Sequence, residues 1–124
     1  MVKLNSKQKQ LIENNALGLA TVNEDGSPHV IAVGYCKVVG VNRILATDNY
    51  MRETTENILK NNLAAVAVWN SDWQTKCEGY EFSGKADYFT KGKWFDKVRA
   101  LKENQGEPCR GAILITINKI KRLA

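Results

Sequence analysis

Apolar and polar residues along this chain change spacing in an order that reads as strands interrupted by three short helices. Residues 6–14, SKQKQLIEN, have helical spacing that turns Leu11 and Ile12 to one face, with Ser6 or Asn5 where a helix cap is needed. LGLATV is a short apolar strand, and the Asp-Gly pair in NEDGS favours positive backbone angles and hence a hairpin. The run PHVIAVGYCKVV, rich in β-branched residues, predicts one long strand, with Gly34 marking a bulge or a close backbone approach. GVN then turns the chain into RILAT.

A second helix begins near Met51 and turns Ile58 and Leu59 inward, and LAAVAVW follows as a short buried strand. Beyond a polar loop at 70–76, CEGYEFSGKADYFT alternates as a long strand does, with Gly79 and Gly84 at bends. In KGKWFDKVRALKEN, Trp94, Val98 and Leu101 recur at helical spacing. QGEPC leads into a last strand, GAILITINKI. The pattern predicts a mainly β single domain over residues 1–124, a six-stranded antiparallel barrel with short connecting helices.

Composition narrows the function classes. Hydrophobic content of 44% with 25% charged residues is ordinary for a globular chain of 124 residues. No run has the apolar length of a membrane span, and MVKLNSKQKQ has no apolar signal core, which points to the cytoplasm. Of the 18 basic residues, three lie in 1–10 and four in 110–124, segments without acids; the middle keeps 11, against all 13 acids. The net charge of +5 therefore sits at the ends, and the aromatic residues are not interleaved with it, which disfavours a nucleic-acid groove. Cys36, Cys77 and Cys109 show no CxxC spacing and only His29 could join them, so neither a metal site nor a disulfide scaffold is expected. Cys36, in an apolar run, reads as packing.

The stretch ATDNYMRETTENILKNN holds the most chemistry. A strand ending in Thr47 and Asp48 feeds a helix, whose start presents unpaired N–H groups and the positive end of a dipole. Arg52 adds a forked cation, and Thr54 and Thr55 add hydroxyls, a set suited to one phosphate. The same residues also suit an ordinary helix start, with Glu53 and Glu56 matched to the dipole.

From LATVNEDGSPHV through that junction to ENILKNN, and again at YEFSGKADYF, the chain resembles the FMN-binding split-barrel family that includes pyridoxamine 5′-phosphate oxidase and the small FMN-binding proteins. The resemblance implies a homodimer with one FMN per subunit near the interface. It implies that Ile31, Ala32, Val33, Gly34 and Tyr35 line the flavin ring and that Thr47 and Arg52, helped by Thr54, meet the phosphate. The chain departs from the oxidase at Ile31, Cys36 and Glu53, where the oxidase carries basic residues. It also ends at NKIKRLA, without the basic and aromatic C-terminal segment with which the oxidase closes over pyridoxamine phosphate, so the small FMN-binding members are the better match.

Other conspicuous residues read as structural. His29 stands alone at a strand start without a partner for acid/base work. Trp69, Trp73 and Trp94 suit packing, with Trp73 in the polar loop the best placed for a ligand or dimer contact. Two function classes follow. One is a small flavoprotein, an oxidoreductase or electron carrier with a small-molecule redox partner, whose FMN carries the chemistry so that no catalytic side chain is needed. The other is a non-enzymatic module for nucleic acid or an acidic partner; within the barrel class, haem or a deazaflavin is the alternative ligand.

Overall fold

The computed structural model describes residues 2–124. Seven strands form one antiparallel sheet: β1 (Leu17–Val22), β2 (Pro28–Val33), β3 (Lys37–Val39), β4 (Arg43–Asp48), β5 (Leu63–Trp69), β6 (Gly79–Phe89) and β7 (Gly111–Arg122). Helix α1 (Ser6–Asn14) precedes β1, α2 (Glu53–Lys60) joins β4 to β5, and α3 (Lys93–Arg99) with a 3-10 turn (Lys102–Asn104) joins β6 to β7. The strand order is β2-β1-β5-β6-β7-β4-β3.

The mainly β class and the antiparallel barrel hold, but the strand count is seven and not six. Residues 28–39 form two strands, because Gly34, Tyr35 and Cys36 carry the chain from one edge of the sheet to the other. A chain advances at most about 3.5 Å per residue, so three residues can link opposite edges only if the sheet curls until they meet. The link closes the barrel and leaves a seam between β2 and the β3–β4 hairpin. Gly34 itself is neither a bulge nor a close approach: a Cβ there would meet nothing within 4 Å. The apolar pattern runs unbroken through the crossing, which is why spacing could not show a change of partner strand.

Register explains what the barrel encloses. Leu17 pairs with Val33, Leu19 with Ile31 and Thr21 with His29 across β1 and β2, so these residues share the inner face. Phe82, Leu19, Val66, Ile44, Ile113, Ile115 and Ile117 fill the interior, and Leu4 and Ile12 of the N-terminal segment join them. A second cluster forms outside, where Val98, Trp94 and Leu101 pack on Leu45, Ala112 and Leu114. β4 beyond Arg43 and the first half of β7 are therefore buried on both faces.

Local chemistry sets the element ends. Asn5 caps α1 in a reciprocal capping box with Gln8. Gly26, at φ 88°, makes the hairpin turn between β1 and β2 that Asp-Gly predicts. The register of β6 on β7 shifts between Ser83 and Gly84, where a Cβ on Gly84 would run into the Thr116 carbonyl. Helix α2 starts at Glu53, two residues later than expected, and turns Thr54, Asn57 and Ile58 inward. Leu59 is not inward: it is 69% exposed, because it lies a further 100° around the helix from Ile58. Among the described residues no helix is long and apolar enough to cross a membrane.

Candidate functional site

The seam opens into a cleft of about 510 Å³. Its first wall is β2 and the crossing, with His29, Ile31, Ala32, Val33, Gly34 and Tyr35; its second is the end of β4 and the start of α2, with Thr47, Asn49, Tyr50, Met51, Arg52, Glu53 and Thr54. All eight residues singled out from the sequence, Ile31, Ala32, Val33, Gly34, Tyr35, Thr47, Arg52 and Thr54, are brought to this one cleft. The two groups are adjacent only because the sheet closes on itself.

Asp48 shapes the second wall. The last residue of β4, it is fully buried, and its carboxylate accepts hydrogen bonds from the Met51 N–H at 2.8 Å, the Thr55 hydroxyl at 3.1 Å and the Tyr88 hydroxyl at 2.6 Å. These bonds tie the turn into α2 to the barrel. Burial, and then the bond to Asp48, push the Tyr88 hydroxyl up to about 12. Thr55, which the sequence offered as a possible phosphate donor, is engaged by Asp48 instead.

Two hydroxyls stand out. Thr47 Oγ1 and Thr54 Oγ1 are shielded from solvent and, among the described residues, have no hydrogen-bond partner. Leaving a buried hydroxyl unpaired costs about 1–3 kcal/mol, so a pair of them lining one cleft marks a place where a polar ligand group would complete the bonding. Arg52 occupies the N-cap position of α2 without making a side-chain cap bond. It is exposed on the cleft and, among the described residues, its guanidinium forms no ion pair. A cation, an uncapped helix start and unpaired hydroxyls thus lie along the same wall.

The first wall is held by a polar network the sequence did not reveal. The Tyr35 hydroxyl and Asn49 Nδ2 both donate to Asn104 Oδ1 at 2.7 Å, and Asn49 Oδ1 accepts from the Cys109 N–H at 3.1 Å. Burial raises the Tyr35 hydroxyl above its ordinary value, so it remains a donor at neutral pH. Arg110 adds a bond to the Met51 carbonyl at 2.9 Å. No local signal marks Asn49 or Asn104, because their partners lie 55 to 69 residues away, nor the reach of Asp48 to Tyr88, 40 residues on.

His29, read from the sequence as a structural residue, lines the cleft with its Nδ1 3.4 Å from Glu53 Oε2. The tryptophans do not line it: Trp69 and Trp73 are about half exposed elsewhere, and the Trp94 ring meets the cations of Arg43 and Lys93. Cys36 is 2% exposed, with its thiol pushed up to about 12 by burial, consistent with packing.

Comparison with known proteins agrees with this fold. The family model described as pyridoxamine 5′-phosphate oxidase matches residues 4–123. An uncharacterized protein of Methanocaldococcus jannaschii is 32% identical over 129 residues, covering 99% of this chain and 83% of that one. The solved structure of HupZ from Group A Streptococcus shares the fold with a TM-score of 0.87 at 21% identity, covering 97% of this chain and 94% of that one. An FMN-binding protein from Syntrophomonas wolfei shares it with a TM-score of 0.82 at 17% identity, covering 94% and 83%. With a match from Leu4 through the whole of the last strand, and a barrel closed across the same seam that forms the cleft, the chain belongs to the pyridoxamine 5′-phosphate oxidase-like split-barrel family.

Proposed function

We propose that the cleft binds FMN and that this protein is a small flavoprotein, an FMN-dependent oxidoreductase or electron carrier acting on a small-molecule redox partner. The observation that carries this reading is the pair of buried, unpaired hydroxyls, Thr47 Oγ1 and Thr54 Oγ1, beside Arg52 and the uncapped start of α2. A phosphate monoester there would supply acceptors to both hydroxyls, to the helix N–H groups and to the guanidinium at once. The volume suits a cofactor, as ligand clefts usually enclose about 300–1,000 Å³.

In this reading Ile31, Ala32, Val33, Gly34 and Tyr35 line the ring, while Thr47, Arg52 and Thr54 hold the phosphate. The absence of a Cβ at Gly34 leaves open space beside the ring seat. FMN, when bound, supplies the capacity to accept or donate hydride or single electrons. The chain's own residues would bind it, orient it and exclude water from one face. A homodimer with the flavin near its interface belongs to the same reading. It is supported by the unpaired edge of β2, which forms one wall of the cleft, and by Val30 at 68% exposure on that edge.

Parallel titration of cofactor-free protein with FMN and riboflavin, followed by flavin fluorescence, tests the reading. FMN binding much tighter than riboflavin binding is the expected result. If neither binds, the flavin assignment falls and haem, a deazaflavin and nucleic acid are the ligands to titrate next.

A further inference from the structure

Two charged or chargeable groups at the cleft mouth have no role in holding a flavin as described so far. His29 on β2 has its side chain 20% exposed, and its Nδ1 lies 3.4 Å from Oε2 of Glu53, the first residue of α2. The Glu53 side chain is 63% exposed, so the pair stands at the rim. Both line the same cleft as Arg52 and as Thr54, whose buried hydroxyl lacks a partner.

The charge at this end of the cleft depends on His29. With His29 neutral, Arg52 and Glu53 offset one another, and the α2 dipole alone favours an anion. A phosphate dianion then faces a carboxylate at its own seat, a like-charge contact. With His29 protonated, Glu53 has a cationic partner and the local balance becomes positive. Histidine is the side chain whose ordinary titration falls between about pH 5 and 8.

The other groups around His29 do not reproduce this effect. Thr21, opposite it on β1, is neutral and accepts a hydrogen bond from Asn57. On the segment before α2, Asn49 carries no charge, and the Tyr50 hydroxyl is held above its ordinary value by its bond to Glu107. On α2, Glu56 is the next acid, and Lys60 at the far end pairs with Glu24. Of the residues lining the cleft, Arg52 is the other cation.

We propose that Glu53 and His29 set the cleft's preference for a phosphate monoester: Glu53 is the discriminating carboxylate, and protonated His29 is the counter-cation that suspends its opposition. The inference rests on the flavin reading above. It makes the preference for FMN over riboflavin rise as pH falls, over a range in which the phosphate, with a second pKa near 6, stays mainly dianionic.

The experiment titrates FMN and riboflavin into cofactor-free protein at about pH 6.5 and about pH 8.5, spanning the ordinary histidine range, at constant ionic strength. It uses the native chain, His29→Gln and Glu53→Gln. Riboflavin has the ring without the phosphate, so the ratio of the two Kd values isolates the phosphate seat. In the native chain the FMN preference grows about two- to fivefold toward low pH, the scale of an exposed charge pair. His29→Gln keeps the low preference at both pH values, and Glu53→Gln keeps the high one. A native preference that does not change with pH, or a change that survives His29→Gln, overturns this inference and leaves the flavin reading intact. If neither flavin binds at either pH, the flavin reading itself is overturned.

Discussion

The Tyr88 hydroxyl on β6 reaches past β7 to the Asp48 carboxylate on β4, at 2.6 Å. It can do so because Gly111, paired with Asp48 across β4 and β7, has no side chain: a Cβ there would collide with the Tyr88 hydroxyl. Through Asp48 the same bond braces the Met51 N–H and Thr55, and so holds the start of α2 against the cleft.

Tyr88→Phe is expected to destabilise the fold by about 1–3 kcal/mol, the range for losing a hydrogen bond to a buried carboxylate. The loss is read as a lower urea midpoint. The Tyr88 phenol is raised from 10.0 to about 12 in the folded protein. Its contribution is therefore complete below pH 10 and is lost as pH rises from 10 to 12. The gap between native and Tyr88→Phe stability should close over that window, and a gap constant to pH 12 contradicts the assignment.

Thr54→Val replaces a buried, unpaired hydroxyl with a methyl group of similar size. The cofactor-free protein should be unchanged or stabilised by up to about 1 kcal/mol, while FMN affinity falls by about 0.5–1.5 kcal/mol, the net worth of one hydrogen bond. Urea unfolding and flavin titration read the two effects separately. Loss of stability without loss of affinity would mean the hydroxyl has an internal role.

Arg52→Ala should weaken FMN binding by about 1–3 kcal/mol, as expected for a charge-assisted hydrogen bond, and leave riboflavin binding nearly unchanged. Equal FMN affinity in the native chain and the variant places the phosphate elsewhere.

Thiol labelling of the folded protein at neutral pH should modify exposed Cys77 first and spare Cys36, whose thiol burial pushes up to about 12. Mass mapping of the labelled sites checks this. Rapid labelling of Cys36 would show that the crossing between β2 and β3 opens.

Gly84→Ala should cost about 3 kcal/mol or more, since overpacking against backbone has no flexible side chain to absorb it. The collision is with the Thr116 carbonyl at the register shift between β6 and β7. A midpoint shift equivalent to under about 1 kcal/mol would mean the bulge can move.

What the amino-acid sequence determined by itself was each local decision whose cause is local. Alternation marked β6, an apolar run marked β5, Asp-Gly marked the β1–β2 turn, and Asn5 or Ser6 marked the start of α1. The stretch at 47–54 marked a helix start with free N–H groups and a dipole for the same reason, because both follow from the helix itself, and by spacing alone it suited an ordinary cap as well as a phosphate seat. Only the tertiary structure decided that residues 28–39 split between opposite edges, since hydrophobic spacing carries no information about which strand is the neighbour. Closing the sheet then brought Ile31–Tyr35 against Thr47–Thr54, placed His29 beside Glu53, and assigned Thr55 to Asp48 while leaving Thr54 unpaired. Those outcomes depend on distances between segments far apart in the chain, which are set when the whole core packs and are not encoded in any short stretch of it.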